Sequence, residues 1–291
     1  MRSRFLYFSS LVAFTLFGLS CERQPESPAS VASADGLAIR YEVHGSGEPA
    51  LVFVHGWSCD RSYWDRQVPY FSERYRVVTI DLGGHGESGL GREVWSMKAF
   101  GRDVAAVVDE LGLEQVVLVG HSMGGPVVVE AARLLGNRVK IIVGVDTFND
   151  VGARYSEEQI DAAFQPFRAD FSGAMTQWVR GQAFLATSDS ALIEQIAADM
   201  SSIPPAVAFG AAEQMYMWYD GESAEALRDV RAPVRLINSD YHPTNVDAAR
   251  EYVPQLDVVL MSGVGHFVMI EDPDTFNRLL SEIVEGVRTN E

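Results

Sequence analysis

Unbroken apolar runs and amphipathic stretches alternate along most of this 291-residue chain. Ala50-Leu51-Val52-Phe53-Val54 and Val116-Val117-Leu118-Val119 are continuous apolar runs of strand length, the pattern of strands buried on both faces. Comparable runs near 38–43, 76–80, 140–145, 234–238 and 256–261 are read as further strands. Between them, segments near 96–111, 123–135, 245–252 and 273–288 read as helices. This alternation predicts an α/β fold, a mostly parallel central sheet with helices on both faces. The alternation lapses between Asp146 and Val230, where helical segments are punctuated by Pro166 and Pro204-Pro205 and no strand is expected. No internal repeat interrupts the pattern. The core is therefore divided, 35–147 and 229–291, around a helical insertion at 148–228.

The insertion is rich in large apolar groups, among them Phe164, Phe167, Trp178, Phe184 and Phe209. Most would supply a small helical core of their own. Met215 to Tyr219, however, places five large apolar or amphipathic residues in a row. One helix face cannot bury all five, so some are expected to face a cleft. That expectation implies a neutral, hydrophobic substrate.

Candidate chemistry concentrates at Gly120-His121-Ser122-Met123-Gly124, between the run 116–119 and the helical stretch that follows. A strand, a sharp turn with serine at its apex and a helix place a hydroxyl beside outward-pointing backbone N–H groups. A serine that merely caps the helix would read the same way locally, so the other parts of the chain decide the matter. Upstream, the strand 50–54 runs into His55-Gly56-Trp57. Next, Tyr75 to Asp81 leads into Leu82-Gly83-Gly84-His85-Gly86-Glu87-Ser88. Downstream, Gly265-His266-Phe267 follows the last strand, and a Pro-led strand from Ala232 ends at Asp240.

Together these segments resemble the α/β-hydrolase superfamily over nearly the whole chain after residue 35, with G-x-S-x-G as its nucleophile elbow. The resemblance implies the helical insertion is a cap over the active site. It implies Ser122 as nucleophile, His266 as general base, and backbone N–H groups of Trp57 and Met123 as the oxyanion hole. The D-x-x-G-H-G-x-S loop around Asp81 and His85 is expected to be structural. The orienting acid is assigned to Asp240, with Asp146 and Asp247 as alternatives, because Asn238 stands where relatives usually carry glycine and the spacing is one residue short. A serine nucleophile suits carbonyls, so the expected function is hydrolysis of an ester or lactone through an acyl-enzyme. A C–C bond hydrolase, a haloperoxidase-like enzyme or a non-catalytic ligand-binding protein would carry the same residues. No cofactor is expected, and no metal, since no metal-ligand spacing occurs among the sparse His and Cys.

The amino-terminal segment changes the setting. Arg2 and Arg4 precede an apolar run from Phe5 to Leu19, the arrangement of an export signal over 1–20. Leu19-Ser20-Cys21 resembles a bacterial lipobox, with Gly18 departing from it, so Cys21 is the expected lipidation site and mature amino terminus. A plain secretory signal or a retained anchor are the alternatives. The polar stretch 21–34, carrying Pro25 and Pro28, is expected to be a flexible tether. The chain is then exported to the periplasm or cell envelope and held to a membrane by lipid. Cys59, the other cysteine, reads as a small buried thiol. A net charge of −17 without a basic stripe argues against nucleic acid as a partner, leaving a small ester-type molecule.

Overall fold

The computed structural model describes residues 29–288. The expected export signal and the lipidation site Cys21 lie outside the described residues. Eight strands form one sheet: β1 (Ala29–Ala32), β2 (Ala38–His44), β3 (Ala50–Val54), β4 (Val77–Ile80), β5 (Val116–His121), β6 (Val139–Val145), β7 (Val234–Ser239) and β8 (Asp257–Met261). Their order is β1-β2-β4-β3-β5-β6-β7-β8. β2 runs antiparallel to both β1 and β4, and the remaining neighbours are parallel.

The central strands are apolar throughout because both faces are covered. Val52 and Val54 of β3 and Leu118 of β5 join a core with Phe100, Val104, Val127 and Val128, from α2 (Met97–Glu110) and α3 (Gly124–Leu135). Leu51, Phe53, Val117 and Val119 point the other way, into a core with Phe71 of α1 (Val68–Ser72), and with Phe276 and Leu280 of the carboxy-terminal helix, Pro273–Arg288. The period-2 alternation of strand side chains thus divides the interior into two halves.

One expectation is corrected at the edge. Residues 29–32, part of the stretch expected to be a tether, pair in register with Ala38–Tyr41 as an edge strand. Small residues leave almost no hydrophobic signal, and the pairing is made by backbone groups that composition does not reveal.

The helical insertion comprises α4 (Glu157–Ala169), α5 (Phe171–Trp178), α6 (Ser190–Met200), α7 (Pro205–Met217) and α8 (Ser223–Asp229). A π-helical turn follows α5 at Val179–Ala183 and another follows α7 at Trp218–Glu222. The chain then re-enters the sheet through β7, continues through α9 (Val246–Tyr252), β8 and α10 (Val268–Glu271), and closes with α11, the Pro273–Arg288 helix. The insertion is anchored to the core where Trp218 Nε1 donates to Glu130 Oε1 at 2.8 Å. No described helix is long and apolar enough to cross a membrane.

Candidate active site

Ser122 follows β5 with φ at +52°, a left-handed conformation that non-glycine residues rarely adopt. The surroundings hold it there: Ser122 N–H donates to Val145 O at 2.9 Å, and Thr147 Oγ1 donates to Ser122 O at 2.8 Å. The turn is possible only with glycine on either side. A Cβ on Gly120 would strike the Gly124 carbonyl, and one on Gly124 would lie 2.6 Å from the Val54 carbonyl of β3. Ser122 therefore sits at the amino end of α3, two residues before the helix begins at Gly124.

The loop after β3 crosses next to this serine. A Cβ on Gly56 would approach His121 Nδ1 to 2.7 Å and Ser122 Cβ to 3.2 Å, so glycine allows the loop to lie directly against the Ser122 turn. His55 stiffens the loop from below. Leu82 N–H donates to His55 Nε2 at 3.0 Å, which makes Nδ1 the protonated nitrogen, and Nδ1–H donates to Gly56 O at 2.8 Å. Burial holds this imidazole neutral, with its pKa below the usual histidine range. Among the described residues, the backbone N–H groups of Trp57 and Met123 donate to no protein acceptor. They are the two groups that the sequence assigns to the oxyanion hole.

His266 lies on the loop after β8, and its ring lines the same cavity as Ser122. His266 Nδ1 lies 2.5 Å from Asp146 Oδ2, and a carboxylate can only accept, so the proton is on Nδ1 and Nε2 presents a lone pair. Asp146 is the first residue after β6; its side chain is 1% exposed and its φ is +43°. Its second oxygen, Oδ1, accepts from Ser239 N–H at 2.9 Å. Both carboxylate oxygens are thus engaged, one by the imidazole and one by the neighbouring strand.

The assignment of the acid to Asp240 is corrected by this geometry. Asp240 is exposed, and Ser262 Oγ donates to its Oδ2 at 2.5 Å. The register explains why. Val145 of β6 is level with Ile237 of β7, so Asp146 is one residue beyond that level and Asp240 three. At about 3.3 Å per residue, Asp240 is carried roughly 7 Å farther out along the strand. Asp247, the other alternative, is exposed in the first turn of α9. Asn238, the departure noted at the usual glycine position, serves the Asp146 turn: its Nδ2 donates to Thr147 O at 2.9 Å, and its Oδ1 accepts from Thr147 N–H at 3.3 Å.

The glycine-rich loop after β4 is a brace. Asp81 accepts from the backbone N–H of Arg61 at 2.8 Å and of Glu87 at 2.9 Å, and it also pairs with the Arg61 guanidinium. His85 Nδ1 donates to Gly83 O at 3.0 Å. Burial, with the neighbouring His55 ring, brings the His85 pKa down to about 3. Cys59 is buried, and desolvation pushes its thiol well above the ordinary range, as befits an unreactive group.

The cavity that contains Ser122 and His266 has a volume of about 170 Å³. Its walls are largely aromatic: Trp57 and Phe267 from the core, Phe164, Phe167, Trp178 and Tyr216 from the insertion. Met215 and Tyr216 face it, Met217 is 54% exposed, and Trp218 is turned to Glu130, which divides the apolar run 215–219 between cleft, solvent and core. A larger open groove, about 700 Å³, runs past Asp60, Asp65 and Asp199 but includes neither Ser122 nor His266. Among the described residues, no group of three or more His, Cys, Asp or Glu side chains is placed to hold a metal ion.

A mostly parallel eight-stranded sheet, with a strained serine turn leaving β5 and a helical insertion over the strand ends, defines an α/β-hydrolase fold. The chain belongs to the alpha/beta hydrolase family, whose model matches residues 51–279. It is 44% identical over 96 residues to the non-heme haloperoxidase of Rhodococcus erythropolis, a match covering 33% of this chain and only 35% of that relative. A thermophilic esterase from Thermogutta terrifontis superposes with a TM-score of 0.78 at 24% identity, covering 90% of this chain and 99% of the esterase. An N-acyl homoserine lactone degrading enzyme superposes with a TM-score of 0.76 at 25% identity, covering 87% and 99%.

Proposed function

We propose that this protein is a serine hydrolase that cleaves an ester or lactone of a small, neutral, hydrophobic molecule through an acyl-enzyme. The observation that carries the proposal is the short His266–Asp146 contact on the wall of the cavity that Ser122 also lines. With Asp146 holding Nδ1–H, His266 Nε2 takes the proton from Ser122 Oγ as that oxygen attacks the substrate carbonyl carbon. The carbonyl π electrons move onto oxygen, where the Trp57 and Met123 N–H groups stabilise the tetrahedral oxyanion. Collapse expels the alkoxide, which takes the proton back from His266. Water, deprotonated by the same imidazole, then attacks the acyl carbon and releases the acid and free Ser122. The aromatic walls favour an apolar acyl group, and the small cavity favours a short one.

The esterase and lactone-degrading neighbours support a carbonyl substrate. The haloperoxidase likeness favours a second reading, in which the acyl-enzyme is intercepted by hydrogen peroxide rather than water, giving a peracid through the same residues. A fluorophosphonate probe tests the common premise. Covalent labelling at Ser122 of the wild type, abolished in Ser122→Ala, is expected. Failure of the intact wild-type protein to react would overturn the hydrolase reading. Product analysis with p-nitrophenyl esters and lactones, with and without peroxide, then separates the two acceptors.

A further inference from the structure

The loop that carries His266 is fastened to the sheet, where Ser239 Oγ of β7 donates to Val264 O at 2.6 Å, and on its other side to the helical insertion. His266 N–H donates to Ala183 O at 2.7 Å, and Gly265 must be glycine because a Cβ there would strike that same carbonyl. Glu271, at the end of α10, spans the junction. Its Oε1 accepts from Gly265 N–H at 2.8 Å, and its Oε2 accepts from Ser188 Oγ at 2.7 Å. Phe184 of the insertion stacks on Phe267 with ring centroids 5.4 Å apart. The core side contributes His121 Nε2, which is 3.0 Å from His266 O.

We propose that Glu271 is a positioning residue: by clipping Gly265 to Ser188 it makes the placement of the His266 imidazole depend on how the insertion is seated. Glu271 does not line the cavity and does not touch the reacting atoms. Its contacts bracket the histidine, one on the preceding peptide and one on the insertion segment 183–188. Burial raises the Glu271 carboxyl pKa and its hydrogen bonds oppose that rise, which is consistent with a carboxylate retained for the contacts it makes. The same insertion holds the opposite side of the site, where Trp57 Nε1 donates to Ala208 O at 2.8 Å. Base and oxyanion loop are therefore both referenced to one body, and movement of that body would displace them together. The role assigned to His266 rests on the hydrolase reading above, whereas the clip itself does not.

Glu271→Ala, Ser188→Ala, the double variant and Glu271→Gln test this. Hydrogen exchange of the intact protein reads the clip without turnover: Glu271→Ala should raise exchange at least about ten-fold in both 262–268 and 183–189, because each segment loses a partner. Kinetically, kcat should fall on the order of 100-fold with KM within about three-fold, the signature of a displaced catalytic group. Glu271→Gln, which can still accept from Gly265 N–H and bond to Ser188, should recover most of that loss. The double variant should be no worse than Glu271→Ala, since both remove one contact chain. Faster exchange confined to 262–268, or a Glu271→Ala enzyme with wild-type melting and kcat within two-fold, overturns the proposal. Absence of fluorophosphonate labelling in the wild type would sink the hydrolase reading alone, and the exchange result would then decide the clip by itself.

Discussion

Asp146 occupies a left-handed backbone conformation in which aspartate is among the better-tolerated side chains, and it gains two strong hydrogen-bond donors there. Asp146→Asn should lower turnover by about 10⁴, the effect of replacing the acid in serine protease triads, while Asp240→Asn should stay near the wild-type rate. Steady-state hydrolysis of one activated ester by both variants checks this; a large loss in Asp240→Asn with a mild one in Asp146→Asn would reverse the assignment. The shared placement of Ser122 and His266 on one cavity was legible because each sits in a local pattern of glycines beside a strand. The acid was not, because β6 and β7 both end in an Asp-containing turn. Choosing between them requires the inter-strand register, which is made by backbone groups and leaves no trace in side-chain type. Glu271 was equally hidden, since its partners are a backbone N–H and a serine 83 positions away.

Trp178 marks how an element shapes the site. It ends α5, immediately before the π-helical turn Val179–Ala183, and packs edge-on to His266 at 6.1 Å and to Trp57 at 5.9 Å. Widened turns of this kind redirect a chain at low cost and occur often at functional sites. Here the turn carries the backbone from the aromatic wall to the Ala183 carbonyl that receives His266 N–H. Trp178→Ala should enlarge the cavity and raise the preference for longer acyl chains, with the kcat/KM ratio of octanoate to acetate esters rising by about ten-fold or more. An unchanged ratio would mean that Trp178 does not bound the acyl pocket. The central strands and the longer helices of the core were readable from periodicity, since burial on two faces makes strands uniformly apolar and burial on one makes helices amphipathic, whereas α1 and α10 are too short to show a helical period. The edge strand Ala29–Ala32 was not, because no hydrophobic pattern distinguishes it from a tether.

At the scale of the whole molecule, three buried imidazoles, His55, His85 and His121, are held neutral, mainly by desolvation. Their folded pKa values lie below the unfolded value of about 6.5. Below that pH the unfolded chain binds protons that the folded one refuses, so stability is complete above it and declines as the pH falls towards the folded values. For His85, with a folded pKa of about 3, the loss is roughly 1.4 kcal/mol per pH unit below 6.5. The raised carboxyls of Asp103 and Glu271 act in the opposite sense, since the folded state binds their protons first. His85→Gln should therefore melt with a shallower dependence on pH between 6.5 and 5 than the wild type. Parallel melting curves would show that His85 is not held neutral.

The amino-acid sequence by itself determined the alternation of strands and helices, the helical interruption of that alternation, and the glycine-flanked turns that carry Ser122 and His266. These follow from local rules: side-chain periodicity, glycine at strained turns and apolar runs at buried strands. Only the tertiary structure decided which carboxylate meets His266, which aromatic rings wall the cavity and how the cap grips the histidine loop. Those outcomes depend on register and on contacts between segments far apart in the chain, where a displacement of two residues along one strand moves a carboxylate out of hydrogen-bonding reach.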